Sequence, residues 1–182
     1  MIRGARTRVS IALVVALATA GIAGGCGGGG GGGNELELIT PGTLLVGSDI
    51  PNPPFEQGHP PSTYTGFDID LVNTIAKQLG VTPKYQDTAL DRAFRDLAQG
   101  KLDMVASGAT ITKSERTIDF SNPYYIQNGK RYGFAFNKNN PDLRDAVNKQ
   151  LAAMISKGAY ALIYAKWFHK APPKDFLPSK SG

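Results

Sequence analysis

The sequence predicts an α/β fold, a single lobe with a mostly parallel sheet of about five strands flanked by helices. Two patterns and the length support this class. Short apolar runs typical of buried strands alternate with segments that repeat apolar residues every three or four positions, as amphipathic helices do. The connections between them are mostly short, which is typical of parallel strands joined by helices. The 182 residues fit one domain with processing segments.

The first 25 residues are typical of an export signal. Basic residues open the chain, at Arg3, Arg6 and Arg8. The apolar stretch over 11–22 that follows is much shorter than the ~20 residues of a membrane span. We therefore predict a signal peptide over 1–25.

Cys26 is the single cysteine of the chain and follows small residues. This arrangement resembles the lipobox of bacterial lipoproteins, although Ala23 stands where those proteins usually have leucine. We predict lipid attachment at Cys26 and a flexible, glycine-rich tether over 26–40. The alternative, a cysteine buried in a folded domain, is disfavoured because its glycine neighbours offer nothing that could bury it.

The charge of the chain gives no support for nucleic-acid binding. The formal net charge is +5, but three arginines belong to the leader, and beyond Cys26 the chain carries 17 basic and 15 acidic residues. A nucleic-acid site needs a clustered basic face. One cysteine excludes an internal disulfide and a cysteine-cluster zinc site, and His59 and His169 are far apart. No metal or other cofactor is therefore predicted.

The domain opens with a strand, a long loop and a helix. The apolar run TLLVG predicts a buried strand over 43–47. Five prolines interrupt regular structure in the loop over 48–65, and a loop of that length in a compact domain is usually functional. Apolar residues on one face predict a helix over 68–79, which Gly80 ends.

A second strand, helix and strand follow. Strands are predicted over 81–86 and 103–107, and the helix between them is expected to begin after a cap at Asp87 or Thr88 and to stop at Gly100. Its inward side chains would be Leu90, Ala93, Phe94 and Leu97.

The C-terminal part repeats these patterns. Alternating aromatic residues predict a strand over 131–138, and a helix begins at Pro141 and ends at Gly158. A last helix follows, and the residues 171–182, rich in proline, lysine and serine, predict a flexible tail. The inward side chains of the two helices would be Leu143, Val147, Leu151, Met154, Ile155, Tyr160, Ile163, Tyr164 and Trp167.

Five stretches resemble one family, the extracellular solute-binding proteins (family 3, polar amino-acid type) of bacterial ABC importers. They are GSDIPNPPFE (47–56), TGFDIDLVNTIAKQLG (65–80), DMVASGATIT (103–112), IDFSNPYY (118–125) and the long stretch over 132–168. The resemblance implies a periplasmic-binding-protein-like lobe, an amino-acid ligand and an ABC permease as partner. It also implies an exported protein, periplasmic or lipid-anchored to the outer face of the cell membrane. Because the sequence has no Ser-His-Asp or Cys-His arrangement, phosphate loop or metal cluster, no enzymatic activity is predicted.

The resemblance also implies that one lobe is absent. Family members have two α/β lobes with the ligand between them. Here the part over 41–127 is joined directly to the part over 130–170, so 41–170 corresponds to the first lobe alone. A tight turn at Asn128-Gly129 is expected to connect the two parts as a hairpin.

The resemblance places the ligand at the carboxyl ends of the strands, where open α/β sheets bind ligands. Arg116 would hold the ligand carboxylate, because a guanidinium matches it bidentately. Ser107, Gly108 and Thr110 would assist with a hydroxyl and backbone N–H groups. The alternative is a solvated Arg116 and a helix-capping Thr110. The spacing from Thr110 to Arg116 is six residues, whereas the family usually has five.

Three further positions correspond to ligand contacts in the family. Asp49 would bind the ligand's amine or side chain, or would simply cap a turn. Asn52 and Leu90 stand where many members carry stacking aromatic residues, which removes that platform. Phe55 and Phe67 are expected in the core, and Asp68 and Asp70 are expected to complement a helix dipole.

The expected function is weak amino-acid binding. Losing about two charge-assisted hydrogen bonds from the absent lobe, at roughly 1.5–3 kcal/mol each, would weaken affinity by about 10²–10⁴. One alternative is a truncated remnant or an interaction lipoprotein that pairs as a homodimer through the inter-lobe face. A second alternative is a dehydratase or peptidoglycan lyase. Its candidate acids, Glu56 and Glu115, lie in polar segments that predict exposure.

Overall fold

A computed structural model describes residues 36–58, 63–112 and 117–177. The strands of these ranges are β1 (Thr43–Ser48), β2 (Thr82–Asp87), β3 (Met104–Val105), β4 (Ile118–Phe120), β5 (Tyr125–Gln127), β6 (Lys130–Tyr132) and β7 (Ala135–Asn137). The helices are α1 (Phe67–Leu79), α2 (Leu90–Ala98), α3 (Pro141–Ser156) and α4 (Ala159–Phe168), followed by a short 3₁₀ helix (Lys174–Phe176).

Five strands form one sheet in the order β2-β1-β3-β7-β4. Strand β1 runs parallel to β2 and β3, while β7 is antiparallel to both β3 and β4. Four strands therefore share one direction and β7 opposes them. The predicted α/β lobe with about five mostly parallel strands is confirmed, and β7 is reversed because the chain reaches it through a hairpin instead of a crossover helix.

That hairpin consists of β5 and β6, which pair as a separate two-stranded sheet. The turn between them is formed by Asn128 and Gly129, with φ of 51° and 75°. Two consecutive positive φ values are typical of a type I′ turn, the geometry that Asn-Gly favours. The predicted hairpin turn at Asn128-Gly129 is therefore confirmed.

The continuous strand predicted over 131–138 is wrong, because the chain leaves the hairpin and enters the main sheet within it. Between β6 and β7, the Gly133 N–H donates to the Ala109 carbonyl at 3.0 Å. The Phe134 N–H donates to Ser121 Oγ, also at 3.0 Å. These bonds replace strand pairing for two residues and allow the alternating aromatic pattern to serve two separate ladders.

The sheet is covered on both faces. Leu44 and Val46 of β1 face a large core that includes α1, α3 and α4, while Leu45 faces a smaller core with α2. The alternation follows from the two-residue period of a strand. Most of the side chains predicted to point inward are buried. Ile155, Ile163 and Trp167 are partly buried at the edge of the large core, and Leu90 and Phe94 at the edge of the smaller core.

The predicted cap of α2 is also wrong. The N-cap is Ala89, which has no side chain able to cap. Asp87 instead accepts a hydrogen bond from the Ile50 N–H at 3.2 Å. The Leu90 N–H donates to Asp49 Oδ2 at 3.1 Å, so the cap of α2 comes from a residue distant in sequence.

The flexible tail predicted from residue 171 is wrong up to residue 177. Phe176 is 4% exposed, and its ring centroid lies 5.3 Å from that of Tyr160. Residues 178–182, the predicted signal peptide, Cys26 and the tether up to residue 35 lie outside the described residues. Within the described ranges, no helix has the length and apolar character needed to span a membrane.

Candidate ligand-binding site

The carboxyl ends of β1 and β3 lie side by side, because Gly47 is paired with Val105 in a parallel ladder. Directly beyond them, the Asp49 N–H donates to Ser107 Oγ at 2.9 Å. Since Asp49 Oδ2 also accepts from the Leu90 N–H, the fold brings three of the predicted site residues into one hydrogen-bonded chain. The exposed Asp49 carboxylate thereby caps α2 and complements its dipole, whereas the alternative interpretation of this residue expects the cap of a turn.

Asn52 and Gly108 meet beside this chain. Gly108 has φ of 51°, and a Cβ built there would lie 3.1 Å from Asn52 Nδ2 and 3.3 Å from the Phe55 ring. Only glycine fits such a close approach without displacement. The Gly108 N–H donates to Asp68 Oδ2 at 2.9 Å. This amide is therefore already used inside the lobe, contrary to the expectation that it binds the ligand.

Thr110 pairs with Tyr132 of the hairpin and borders a hollow of about 90 Å³. Phe94 of α2 and Phe120 of β4 line the same hollow, in an edge-to-face contact with ring centroids 6.4 Å apart. Thr112 and Ile118 complete the lining. Sequence reasoning missed this aromatic wall, because it assigned Phe94 to the core from helical periodicity.

Arg116, the predicted carboxylate ligand, lies outside the described residues together with Glu115. The described chain stops at Thr112 and resumes at Thr117. Thr112 lines the hollow beside Thr110, and Ile118 lines it from the other end of the gap. The role of Arg116 stays a prediction.

The other carboxyl predicted as a candidate acid, Glu56, is completely buried, which contradicts its expected exposure. It lies against Asp68, which is also 0% exposed and accepts a hydrogen bond from the Tyr124 hydroxyl at 2.6 Å. Burial and the nearby Asp68 charge raise the pKa of Glu56 to about 11. Burial raises the pKa of Asp68 as well. Sequence reasoning assigned Asp68 only to the helix dipole.

Asp70 lies in the first turn of α1, as the helix-dipole expectation requires, and it also connects two helices. Its Oδ2 accepts hydrogen bonds from Lys166 Nζ and Trp167 Nε1, each at 2.7 Å. The polar contacts of Asp70 thus fix α4 against α1 and do not contribute to the site.

The term shelf denotes the exposed Asp49 side chain, Thr110 and the hollow that Thr110 borders, at the carboxyl ends of β1 and β3. A hollow of about 90 Å³ is far smaller than the roughly 300–1,000 Å³ of pockets that enclose a ligand. Threonine hydroxyls, phenylalanine rings and the Ile118 side chain border it, so it offers hydroxyl groups for hydrogen bonds and apolar surface for a side chain. The described residues contain no group of three or more histidine, cysteine, aspartate or glutamate side chains that could hold a metal ion.

Residues 44–170 match the model of the family described as bacterial extracellular solute-binding proteins, family 3. The chain is 35% identical over 117 residues to the L-cystine-binding protein TcyJ of Escherichia coli (strain K12), covering 63% of this chain and 44% of that protein. It is 41% identical over 66 residues to the probable histidine-binding protein of Campylobacter jejuni, and this match covers 36% of this chain and 26% of that protein. The chain thus spans less than half the length of these two relatives.

Two solved structures are also similar. The arginine-bound form of domain 1 from TmArgBP matches at 37% identity with a TM-score of 0.57, covering 62% of this chain and 93% of that chain. An ancestral arginine-binding protein bound to glutamine matches with a TM-score of 0.67, covering 72% and 100%. The identity to the second is 24%, so that likeness concerns the fold alone.

Proposed function

Because the chain belongs to the bacterial extracellular solute-binding proteins of family 3, we propose that it binds an amino acid for an ABC importer. The proposed site is the shelf at the carboxyl ends of β1 and β3. Relatives named as cystine-, histidine- and arginine-binding proteins support an amino-acid ligand. An ABC permease is the corresponding proposed partner.

One observation carries the proposal that a single lobe is sufficient. The matched TmArgBP structure is of domain 1 in its arginine-bound form, and the similarity covers 93% of that chain. Its 37% identity to this chain makes a comparable one-lobe site the simplest expectation. We therefore propose arginine as the first ligand to test.

The roles of the site residues follow from the chemistry of an amino acid. Arg116 would pair with its carboxylate, and the Thr110 hydroxyl would add a hydrogen bond. Asp49 is exposed and negatively charged, so it would attract the ammonium group or a cationic side chain. Phe94 and Phe120 would contact the aliphatic part of the ligand.

Binding is proposed to be weak. The shelf covers the ligand from one side only, whereas good sites bury about 70–90% of a small ligand. Closure of two lobes around a hinge, a common binding motion, needs a second wall. A second copy or another protein would have to supply that wall.

Isothermal titration calorimetry with arginine, histidine, cystine and glutamine at up to millimolar concentration tests the proposal. We expect saturable binding of arginine and a loss of at least about tenfold in affinity in Arg116→Ala, because a charge-assisted pair contributes about 1.5–3 kcal/mol. The matched control is Arg95→Ala, which removes an exposed ion pair with Asp91 on α2 and should leave affinity unchanged. Equal affinity in both variants would contradict the role of Arg116.

Attachment to the outer face of the membrane through Cys26 is a separate proposal, supported by the sequence of the leader. The glycine-rich tether would let the lobe reach a permease while it stays anchored. Fractionation of cells tests it: the wild-type protein is expected with membranes, and Cys26→Ser in the soluble exported fraction. Wild-type protein in the soluble exported fraction would overturn the anchor.

Two other functions compete with amino-acid binding. The open shelf favours pairing with a second copy, which sedimentation would show as a dimer that is indifferent to amino acids. Burial keeps Glu56 protonated, as a general acid of a lyase or dehydratase must be, although its pKa of about 11 lies above the near-neutral range that suits proton transfer. That carboxyl is 0% exposed, however, so no substrate can reach it in this conformation.

A further inference from the structure

Two buried carboxyl groups lie next to the shelf without forming part of it. Glu56 belongs to a turn in which the Asn52 N–H donates to the Glu56 carbonyl at 2.7 Å. Asp68 belongs to the first turn of α1. The Phe67 N–H donates to the Pro54 carbonyl at 2.9 Å, and the Asp68 N–H donates to the Phe55 carbonyl at 3.1 Å. These bonds fix the turn against the helix and hold the two carboxyl groups together.

The hydrogen-bond partners of this pair are unevenly distributed. Asp68 Oδ2 accepts from the Gly108 N–H and from the Tyr124 hydroxyl. Asp68 Oδ1 and both carboxyl oxygens of Glu56 are buried, and none of these three has a partner with good geometry among the described residues. Leaving a buried polar group unsatisfied costs about 1–3 kcal/mol. One proton removes most of this cost, because a Glu56 O–H can donate to Asp68 Oδ1.

The proton belongs on Glu56 rather than on Asp68. Asp68 is the second residue of α1, where the helix dipole favours a negative charge. It also accepts two hydrogen bonds, which stabilise its ionised form. For Glu56, burial and the charge of Asp68 dominate and disfavour ionisation, while the Asn52 side chain acts weakly in the opposite direction.

No described cation compensates for a second negative charge at this position. The ionisable side chains that interact electrostatically with the pair are Asp49 after β1, Tyr85 on β2, Tyr124 before β5 and Tyr160 on α4. None of these is basic. The ion pairs found within the described ranges include neither Glu56 nor Asp68.

We propose that Glu56 is a positioning residue of the ligand site. It shares one proton with Asp68, and Asp68 in turn holds the Gly108 amide and fixes the loop over 107–110 beside the shelf. The shared proton stands independently of the ligand, whereas its effect on affinity rests on the proposed function. The two carboxyl groups therefore position the loop over 107–110 without contacting the ligand themselves.

The proton has a measurable consequence for stability. Glu56 ionises near pH 4.5 when unfolded, and its folded pKa is raised to about 11. Between these values the folded state holds a proton that the unfolded state has lost. The contribution of this group to stability is therefore largest below pH 4.5 and falls as the pH rises towards 11. The decrease is roughly tenfold in the folding equilibrium constant for each pH unit.

Infrared spectroscopy of the wild-type protein at pH 7 tests the shared proton directly. We expect the C=O band of a protonated carboxyl group, absent from Glu56→Gln and retained in the control Glu37→Gln, which alters an exposed glutamate. Absence of the band from the wild-type protein would overturn the proposal, whether or not any variant folds.

Urea denaturation between pH 5 and pH 9 gives the second measurement. Because glutamine is uncharged and keeps an N–H donor for Asp68, Glu56→Gln should lose the roughly tenfold dependence per pH unit that wild type and Glu37→Gln retain. Parallel pH profiles for all three proteins would contradict the shared proton.

The positioning role is tested by binding and by the Gly108 amide resonance. Glu56→Gln keeps a donor for Asp68, so the Gly108 amide resonance and the affinity for arginine should stay unchanged within error. Glu56→Leu lacks a donor, so it should shift the resonance and weaken arginine binding by about tenfold. An unchanged resonance and affinity in Glu56→Leu would overturn positioning. If even the wild-type protein bound no amino acid, the proposed function would fail, while the infrared band and the Gly108 resonance would still decide this inference.

Discussion

Gly108 is the residue at which the turn over 52–56, the start of α1 and the end of β3 meet. Its amide is held by Asp68, and its α-carbon lies against Asn52 and Phe55. The neighbouring Ser107 is 3% exposed, and its hydroxyl oxygen accepts a hydrogen bond from the Asp49 amide. The Ser107 and Gly108 groups predicted to hold the ligand at this strand end are thus used in contacts within the lobe, and Thr110, Asp49 and Arg116 remain the proposed ligand contacts.

Gly108→Ala tests this crowding. We expect a loss of about 1–3 kcal/mol in the free energy of unfolding, because a Cβ adds a positive-φ strain and contacts as short as 3.1 Å. The control is Gly100→Ala, where φ is 70° but nothing lies within 4 Å of the added Cβ. Urea denaturation measures both variants. A smaller loss in Gly108→Ala than in Gly100→Ala would contradict the crowded packing.

The helices and the hairpin could be predicted because their signals are local. Apolar periodicity defines α1, α3 and α4, and Asn128-Gly129 defines its own turn. The cap of α2 could not be predicted, since Asp49 lies 41 residues before Leu90 in the sequence. The contact between Glu56 and Asp68 could not be predicted either, because the two residues lie in different elements. The division of the strand over 131–138 depends on hydrogen bonds to Ala109 and Ser121, which are also distant in sequence.

Asp49 offers a test of the helix cap. Asp49→Ala is expected to lower the free energy of unfolding by about 0.5–2 kcal/mol, because the first turn of α2 loses its acceptor. Asp49→Asn keeps an oxygen acceptor and should restore most of this stability. Thermal denaturation separates the two variants. Equal destabilisation would show that charge, and not the cap, is the contribution of Asp49.

Isothermal titration calorimetry of Asp49→Asn and the wild-type protein measures the role of the Asp49 charge in ligand binding. If the carboxylate attracts a cationic ligand, Asp49→Asn weakens arginine binding more than glutamine binding while the helix stays capped.

As a whole molecule, the described lobe has complete cores on both faces of its sheet. Side chains from α1, α3, α4 and the 3₁₀ helix converge on one face, and those of α2 on the other. The described elements therefore bury both faces of the sheet by themselves. Composition and family resemblance could predict the lobe, whereas a second wall for the proposed ligand could not be predicted, because only Asn128 and Gly129 lie between Gln127 and Lys130.

Thermal unfolding with increasing arginine concentration tests binding at this scale. At about ten times the Kd, a ligand that binds only the folded state stabilises it by roughly 1.4 kcal/mol. We expect this stabilisation only at millimolar arginine, with D-arginine as the control for ionic strength. The same stabilisation at micromolar arginine would contradict a one-sided site.

The two-residue turn at Asn128-Gly129 also has a consequence for modularity. Both residues are exposed, a Cβ at Gly129 would meet nothing within 4 Å, and the strands on either side are paired in register. Exposed turns of this kind are where inserted domains are best tolerated. A folded domain with neighbouring termini could replace the turn without disturbing the ladder of β5 and β6. The turn is thus a natural junction at which a protein of this architecture can gain or lose an entire module while the remaining lobe keeps its fold.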